Sequence, residues 1–258
     1  GETMMVGAPT LTANAALGGG AGLVQLFVPE AIRSAASVLA PCATIRTLPR
    51  DAVSLMEAVT QFGADVVALG PGLGNSLDAG TLVEFLGRWS GPVVLDADGL
   101  NRLAEAGPCS LPEPKRIVMT PHPGELRRLL AARGDDRTVD ASGSSRRAAA
   151  CALVDAYGCV AVLKGRGTVV TDGKRLYVNE TGNSGMATGG AGDVLTGVIA
   201  ALAGQGLQPL DAAMLGVYLH GLAGDFAAEE MGRWSLTATD LIEYLPEAFC
   251  EHDMAEAQ

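Results

Sequence analysis

Short β-branched runs that alternate with helical patterns make this 258-residue chain an α/β protein with a mainly parallel sheet. Three features carry that expectation. The apolar runs are brief and nearly free of charge, as strands buried on both faces are. Stretches of helical period separate one run from the next. Several runs end in glycine- and carboxylate-rich turns, on the edge where open α/β sheets hold their ligands.

The elements follow in order. Gly1-Glu2-Thr3-Met4-Met5 opens the chain with no strand before it. Because a doubly wound sheet ordinarily begins with a strand, the chain is expected to be a fragment or to have its first strand outside the given residues. Gly22–Pro29 (GLVQLFVP) reads as a strand and PEAIRSAASVL after it as a helix. Asp65–Gly70 (DVVALG) is a buried strand, DAGTLVEFLGRW a helix, and Pro92–Asp98 (PVVLDAD) the next strand. Arg116–Pro121 (RIVMTP) is a strand followed by the helix GELRRLLAAR. ARGDDRTVDASGSS is too charged and small to bury and reads as an exposed, mobile connection. SSRRAAACALVDAYG then leads as a helix into the strand VAVLKG, Val160–Gly165. GTVVTDGKRLYVNE holds a hairpin signal at Asp172-Gly173. DVLTGVIAALAGQ, DAAMLGVYLHGLAGDFAAEEM and TDLIEYLPEAF close the chain as three helices. Thr239 or Asp240 is the expected cap of the last, with Glu243 placed for a capping box to Asp240. No repeat or linker interrupts residues 1–258, which read as one domain.

Hydrophobic residues make up 48% of the chain and charged residues 18%, enough for a sizeable core and too apolar for wholesale disorder. Aromatics are only 4%, so Ala, Val and Leu must fill that core. The 34 glycines are clustered without a period, which points to turns and close backbone approach. A net charge of −11 disfavours nucleic acid and anionic membranes as partners. No run approaches the roughly 18 apolar residues of a membrane span, and no secretory signal is visible. Cys42, Cys109, Cys151, Cys159 and Cys250 show no CxxC or Cys/His spacing and read as thiols of a reducing cytoplasm.

The densest signal is TGNSGMATGGAGDVLTG, Thr181–Gly197. Gly189, Gly190 and Gly192 let consecutive N–H groups point at one spot, and the helix beginning near Asp193 adds its positive dipole end. That suits a phosphate or a developing negative charge, with Asp193 as the base for an attacking hydroxyl. The alternative is that Asp193 is an N-cap; its glycine neighbours favour the base. The segment is no P-loop, since GxxxxGK[ST] is absent. Lys164, between an apolar strand and Gly165-Arg166-Gly167-Thr168, suits a nucleotide's phosphates or sugar, or is a solvated lysine at a strand end. Gly72 and Gly74 follow another strand. His122, held between two prolines, has its ring presented rather than packed. Asp96 and Asp98 alternate along a strand end and so point to opposite sides, one facing a site and the other capping or bracing a loop. His220, inside an apolar helical pattern, reads as structural.

GPGLG, VVLDADGLN, TPHPGEL, VLKGRGT, NETGNSGMATGGAGDVLTG and GVYLHGLAGD together resemble the successive signatures of the ADP/ATP-dependent NAD(P)HX dehydratases, members of the ribokinase-like superfamily. The resemblance runs from about Met5 to Tyr244. GxGD alone would indicate only the superfamily; LDADGLN with TPHPGE is far more specific. The resemblance implies a three-layer α/β/α sandwich and a repair reaction. The S epimer of hydrated NADH or NADPH is phosphorylated on its ring hydroxyl, by ADP or in some members ATP, and phosphate then leaves. It implies Asp193 as base, and Gly190, Ala191 and Gly192 as donors to the transferring phosphoryl group. Lys164, Gly165, Arg166, Gly167, Thr168 and Gly192 line the nucleotide. Ala8, Gly72, Gly74, His122 and Asp193 hold the hydrated dinucleotide, with Asp98 and Asn183 in support. ADP is the expected nucleotide, Mg²⁺ the expected metal with no ligands assigned, and a cytoplasmic homotetramer the expected assembly.

The chain departs from the family pattern in two places. A strand like VLVIGGS, which precedes the loop that Gly1–Ala8 resembles, is missing, and ALGGGAGL has Gly where Arg or Lys is common. Two further readings stay open. One is a kinase of the same fold acting on a vitamin-precursor alcohol of the hydroxymethylpyrimidine, hydroxyethylthiazole or pyridoxal type, whose site logic is identical up to phosphoryl transfer. The other is a non-enzymatic nucleotide sensor.

Overall fold

The computed structural model describes residues 5–111, 113–137 and 142–256. Helix α1 (Gly7–Gly18) leads into β1 (Gln25–Val28). A 3₁₀ turn and α2 (Arg33–Leu39) lead to β2 (Thr44–Thr47), and α3 (Ala52–Phe62) leads to β3 (Val67–Leu69). Next come α4 (Ala79–Arg88), β4 (Val93–Leu95), α5 (Ala97–Glu105), β5 (Ile117–Met119), α6 (Pro123–Ala131) and α7 (Gly143–Tyr157). Strand β6 (Val160–Leu163) precedes the hairpin of β7 (Val169–Thr171) and β8 (Leu176–Val178). Helices α8 (Ala191–Gly204), α9 (Pro209–Met231), α10 (Ala238–Glu243) and α11 (Leu245–Glu256) finish the chain.

Strands β3 to β8 form one six-stranded sheet in sequence order. β3 to β6 run parallel; β7 and β8 are antiparallel, as the Asp172-Gly173 signal predicts. The sheet has a core on each face. Val93, Leu95, Ile117, Met119, Ala161 and Leu163 pack with α3 to α7, whereas Val94, Val118, Val160 and Val162 pack with α8 to α11. Alternate side chains thus leave the sheet on opposite faces, and burial on both explains why the strands read as continuous apolar runs. The result is a three-layer α/β/α sandwich. No helix among the described residues is long and apolar enough to cross a membrane.

β1 and β2 pair in parallel as a separate two-stranded sheet. Between β1 and β3 lies an apolar cavity of about 490 Å³, bounded by Leu26, Phe27, Ala68 and Leu69, with Ala13 and Ala201 of the overlying helices.

Several elements differ from the sequence expectations. α1, β2 and α3 were not expected. α1 is mostly small residues with no apolar stripe, and β2 (TIRT) is largely exposed. α3 does carry end signals: Asp51 accepts from Ser54 N–H, and Gly63 closes the helix in the left-handed region. The C-terminal pattern is two helices broken at Tyr244. Its cap is Thr237, with Asp240 as the box partner, rather than Thr239 or Asp240 with Glu243. Of the connection expected to be mobile, Thr138–Ala141 lie outside the described residues, and Gly143 onward is already α7.

Candidate active site

The glycine segment is threaded across α9 before it reaches α8. A Cβ on Gly221 would lie 2.1 Å from Thr181 Oγ1, and one on Gly224 2.3 Å from Met186 Sδ. Both must be glycine for the segment to pass. Asp225 accepts from Gly182 N–H at 2.7 Å and from Asn183 Nδ2 at 3.0 Å, so Asn183 serves as a brace. Gly190 then adopts φ +92° as the N-cap of α8. The helix begins at Ala191, so Asp193 is its third residue. No side chain caps it, and the alternative of Asp193 as an N-cap does not hold. The N–H groups of Gly190, Gly192 and Asp193 meet no acceptor among the described residues. With the helix dipole they make a donor-rich, positive end.

Asp193 is held by its backbone and left free at its carboxylate. Thr12 Oγ1 donates to its carbonyl at 3.0 Å, and no described residue donates to the side chain. Burial first, and then the charges of Asp96, Asp98 and Glu125, raise its pKa to about 6, against the opposing charge of Lys164. Such a group accepts a proton near neutral pH.

Lys164 is not a solvated strand-end lysine. Its ammonium donates to Asp96 Oδ1 at 2.6 Å and lies 4.0 Å from Glu125 Oε2. Its Nζ is 3.2 Å from where a Cβ on Gly192 would sit. Asp96 Oδ2 accepts from Thr196 Oγ1 at 2.8 Å. The expectation that Asp96 and Asp98 alternate along a strand end is corrected, because β4 ends at Leu95 and Asp98 lies in the first turn of α5. Their division of labour survives for a different reason. Asp96 turns into the site, and Asp98 braces the neighbouring loop by accepting from Gly74 N–H at 2.8 Å.

The remaining predicted residues form the rim. Ala8 belongs to the first turn of α1 rather than to a loop, and it meets Gly72: a Cβ on Gly72 would lie 3.4 Å from Ala8 Cβ and 2.6 Å from Pro9 Cδ. The His122 ring is not simply presented. Its Nδ1 accepts from Gly124 and Glu125 N–H as the cap of α6, although half the side chain stays exposed. Gly165 (φ +135°) and Gly167 (φ +63°) shape the turn after Lys164, with Arg166 exposed and Thr168 Oγ1 donating to Gly165 O at 2.9 Å. His220 is structural as expected: its Nε2 lies 2.9 Å from Ala191 O, and burial lowers its pKa to about 4. Thr12, Glu125, Thr196 and Asp225 were not singled out from the sequence. Only Glu125 carried a signal, the capping-box spacing from His122.

The chain as a whole is similar to known proteins. A family model described as NAD(P)H-hydrate dehydratase matches residues 1–247. The bifunctional NAD(P)H-hydrate repair enzyme Nnr of Moorella thermoacetica is 42% identical over 258 residues, 95% of this chain and 47% of that protein. The chain therefore spans about half the length of such relatives. Among solved structures, the ADP/ATP-dependent NAD(P)H-hydrate dehydratase of Bacillus subtilis, co-crystallised with ATP/Mg²⁺, superposes with a TM-score of 0.78. It is 27% identical, covering 96% of this chain and 87% of that one. A ribokinase-like superfamily protein from Enterococcus faecalis superposes with a TM-score of 0.77 at 25% identity, covering 95% and 82%.

Proposed function

The chain belongs to the NAD(P)H-hydrate dehydratase family, and on that premise we propose that it returns the S epimer of hydrated NADH or NADPH to NAD(P)H, using ADP and releasing AMP and phosphate. The observation that carries the proposal is the Asp193 carboxylate, unpartnered and raised to about 6, beside the open N–H groups of the first turn of α8. Asp193 takes the proton of the ring hydroxyl as its oxygen attacks the terminal phosphoryl group of ADP. The P–O bond to AMP breaks. The N–H groups of Gly190 and Gly192, together with the Lys164 ammonium, receive the charge on the phosphoryl oxygens; the Ala191 N–H, expected to join them, already points at Thr188 O at 3.5 Å and would have to leave it to do so. The ring C–O bond then breaks with its electron pair leaving on phosphate, the neighbouring ring carbon loses a proton to solvent, and the C–H pair becomes the restored double bond.

Lys164 to Thr168 and Gly192 line the nucleotide in this reading. Ala8, Gly72, Gly74 and His122 hold the dinucleotide, supported by Asp98 and Asn183. Among the described residues no three His, Cys, Asp or Glu side chains form a metal site. A Mg²⁺ bound with the nucleotide would neutralise the charge of its phosphates. The free cysteines support a cytoplasmic setting. The homotetramer expected of the family would have exposed Met231 and fully exposed Trp234 available for its contacts, and light scattering checks the stoichiometry.

The test is incubation with hydrated NADH, Mg²⁺ and either ADP or ATP, watching the NADH absorbance band return. Recovery with ADP is expected. No recovery with either nucleotide, alongside phosphorylation of a thiazole, pyrimidine or pyridine alcohol, would replace this reading with the vitamin-precursor kinase.

A further inference from the structure

Asp96 is 1% exposed and precedes α5, yet its carboxylate makes no bond to that helix. It reaches instead to two distant elements, Lys164 at the end of β6 and Thr196 in α8, using one oxygen for each. Leaving a buried carboxylate unpaired is costly, so these contacts strongly hold the Lys164 ammonium in place. The charges that face Asp193 come from every element around it: Asp96 after β4, Asp98 in α5, Glu125 in α6 and Lys164 after β6. Among the described residues, α9 sets the His220 ring against Ala191 O and α1 sets the uncharged Thr12 against the Asp193 carbonyl, and neither helix adds a charge to those that act on Asp193. Lys164 is thus the single cation among them, and Asp96 occupies it.

We propose that Asp96 is a positioning residue of the transfer site: it aims the Lys164 ammonium at the first turn of α8 and, by pairing with it, leaves the Asp193 carboxylate unpaired. The inference rests on Asp193 as the base. Without the Asp96 charge, Lys164 is left with Glu125, 4.0 Å away and already accepting from His122 N–H, and with Asp193, whose carboxylate accepts from no described residue; an ion pair with Asp193 would remove the proton acceptor from the reaction. A purely structural tie would do neither.

The experiment is a carbon-13 NMR titration of the Asp193 carboxyl in the full chain, assigned against Asp193→Asn. In Asp96→Asn the midpoint is expected to fall by about one pH unit. In Lys164→Met, which removes the cation, it is expected to rise. Should either single variant fail to fold because a buried charge is stranded, the double variant Asp96→Asn/Lys164→Met leaves no unpaired charge. Its midpoint is expected between those of the single variants, with heat melts reporting folding. An Asp193 midpoint unchanged in Asp96→Asn, or one that moves the same way in Asp96→Asn and Lys164→Met, would overturn the proposal. The titration needs no substrate. A shifted midpoint in a protein that leaves hydrated NADH untouched would sustain the positioning role and discard only the assigned reaction.

Discussion

At pH 7 Asp193 carries a charge that its surroundings oppose. Its folded pKa of about 6 lies above the ordinary 3.8, so as pH falls through 6 the folded chain binds a proton before the unfolded chain does. This group therefore adds stability on acidification and costs stability at neutral pH. Asp193→Asn is expected to raise unfolding stability at pH 7 by on the order of 2 kcal/mol, measured in urea. It is also expected to lower turnover by about 100-fold or more with nucleotide binding retained; turnover near that of the parent chain would end the assignment as base. In the parent chain, kcat/KM is expected to fall below about pH 6, where Asp193 takes up its proton. His220 acts with the opposite sign. Its folded pKa of about 4 lies below the ordinary 6.5. Between those values the unfolded chain binds a proton that the folded chain refuses, and stability drops as pH falls. His220→Gln, which keeps a donor for Ala191 O, is expected to flatten that drop in an Asp193→Asn background, read from melting temperature against pH. The sequence suggested a role for each residue, a base and a structural histidine. It held no sign of either shift, because both arise from burial and from residues far away in the chain.

Helix α8 delivers the site because it can lie directly against α1. A Cβ on Gly197 would fall 2.3 Å from Thr12 O and 2.8 Å from Ala15 Cβ, so the two helices touch backbone to backbone there. Gly197→Ala is expected to force them apart and destabilise the protein by about 1–3 kcal/mol. Because Thr12 also holds the Asp193 carbonyl, turnover should fall more than stability alone explains. Urea unfolding paired with single-turnover rates would check this, and an unaffected rate would separate the crossing from the chemistry. This crossing explains why α1 was not legible from periodicity. A helix of small residues packed by close approach has no apolar stripe to read. The LDADGLN stretch shows the converse. Its chemistry is visible in the residues, but its geometry is not, because the turn from β4 into α5 comes one residue after the strand. Ala97 makes that turn with φ +47°, a conformation unusual for alanine.

Across the whole molecule the large sheet is continuous from β3 to β8 and interrupted before β1. The cavity between β1 and β3 presents two strand edges and apolar helix faces. Met5 O lies 2.9 Å from where a Cβ on Gly72 would sit, so the described chain starts at the carboxyl end of β3. A chain extended ahead of Gly1 by a short Val/Ile/Leu-rich segment is therefore expected to pair between β1 and β3. It should melt roughly 5 °C or more higher and bind less hydrophobic dye; no change in either would mean that this gap does not accept a strand. At this scale the residues alone determined the layer architecture, since buried parallel strands and their covering helices each leave a periodic pattern. They also determined the family, since the motifs at successive strand ends survive as contiguous words. Only the tertiary structure decided that Asp193 stands inside the first turn of α8 with its carboxylate free. It alone decided that Lys164 is already paired with Asp96, and that Asp225 and Thr12 hold the two sides of the site. Those facts depend on contacts between residues up to 181 positions apart, and no local pattern encodes which buried carboxylate a distant lysine will choose.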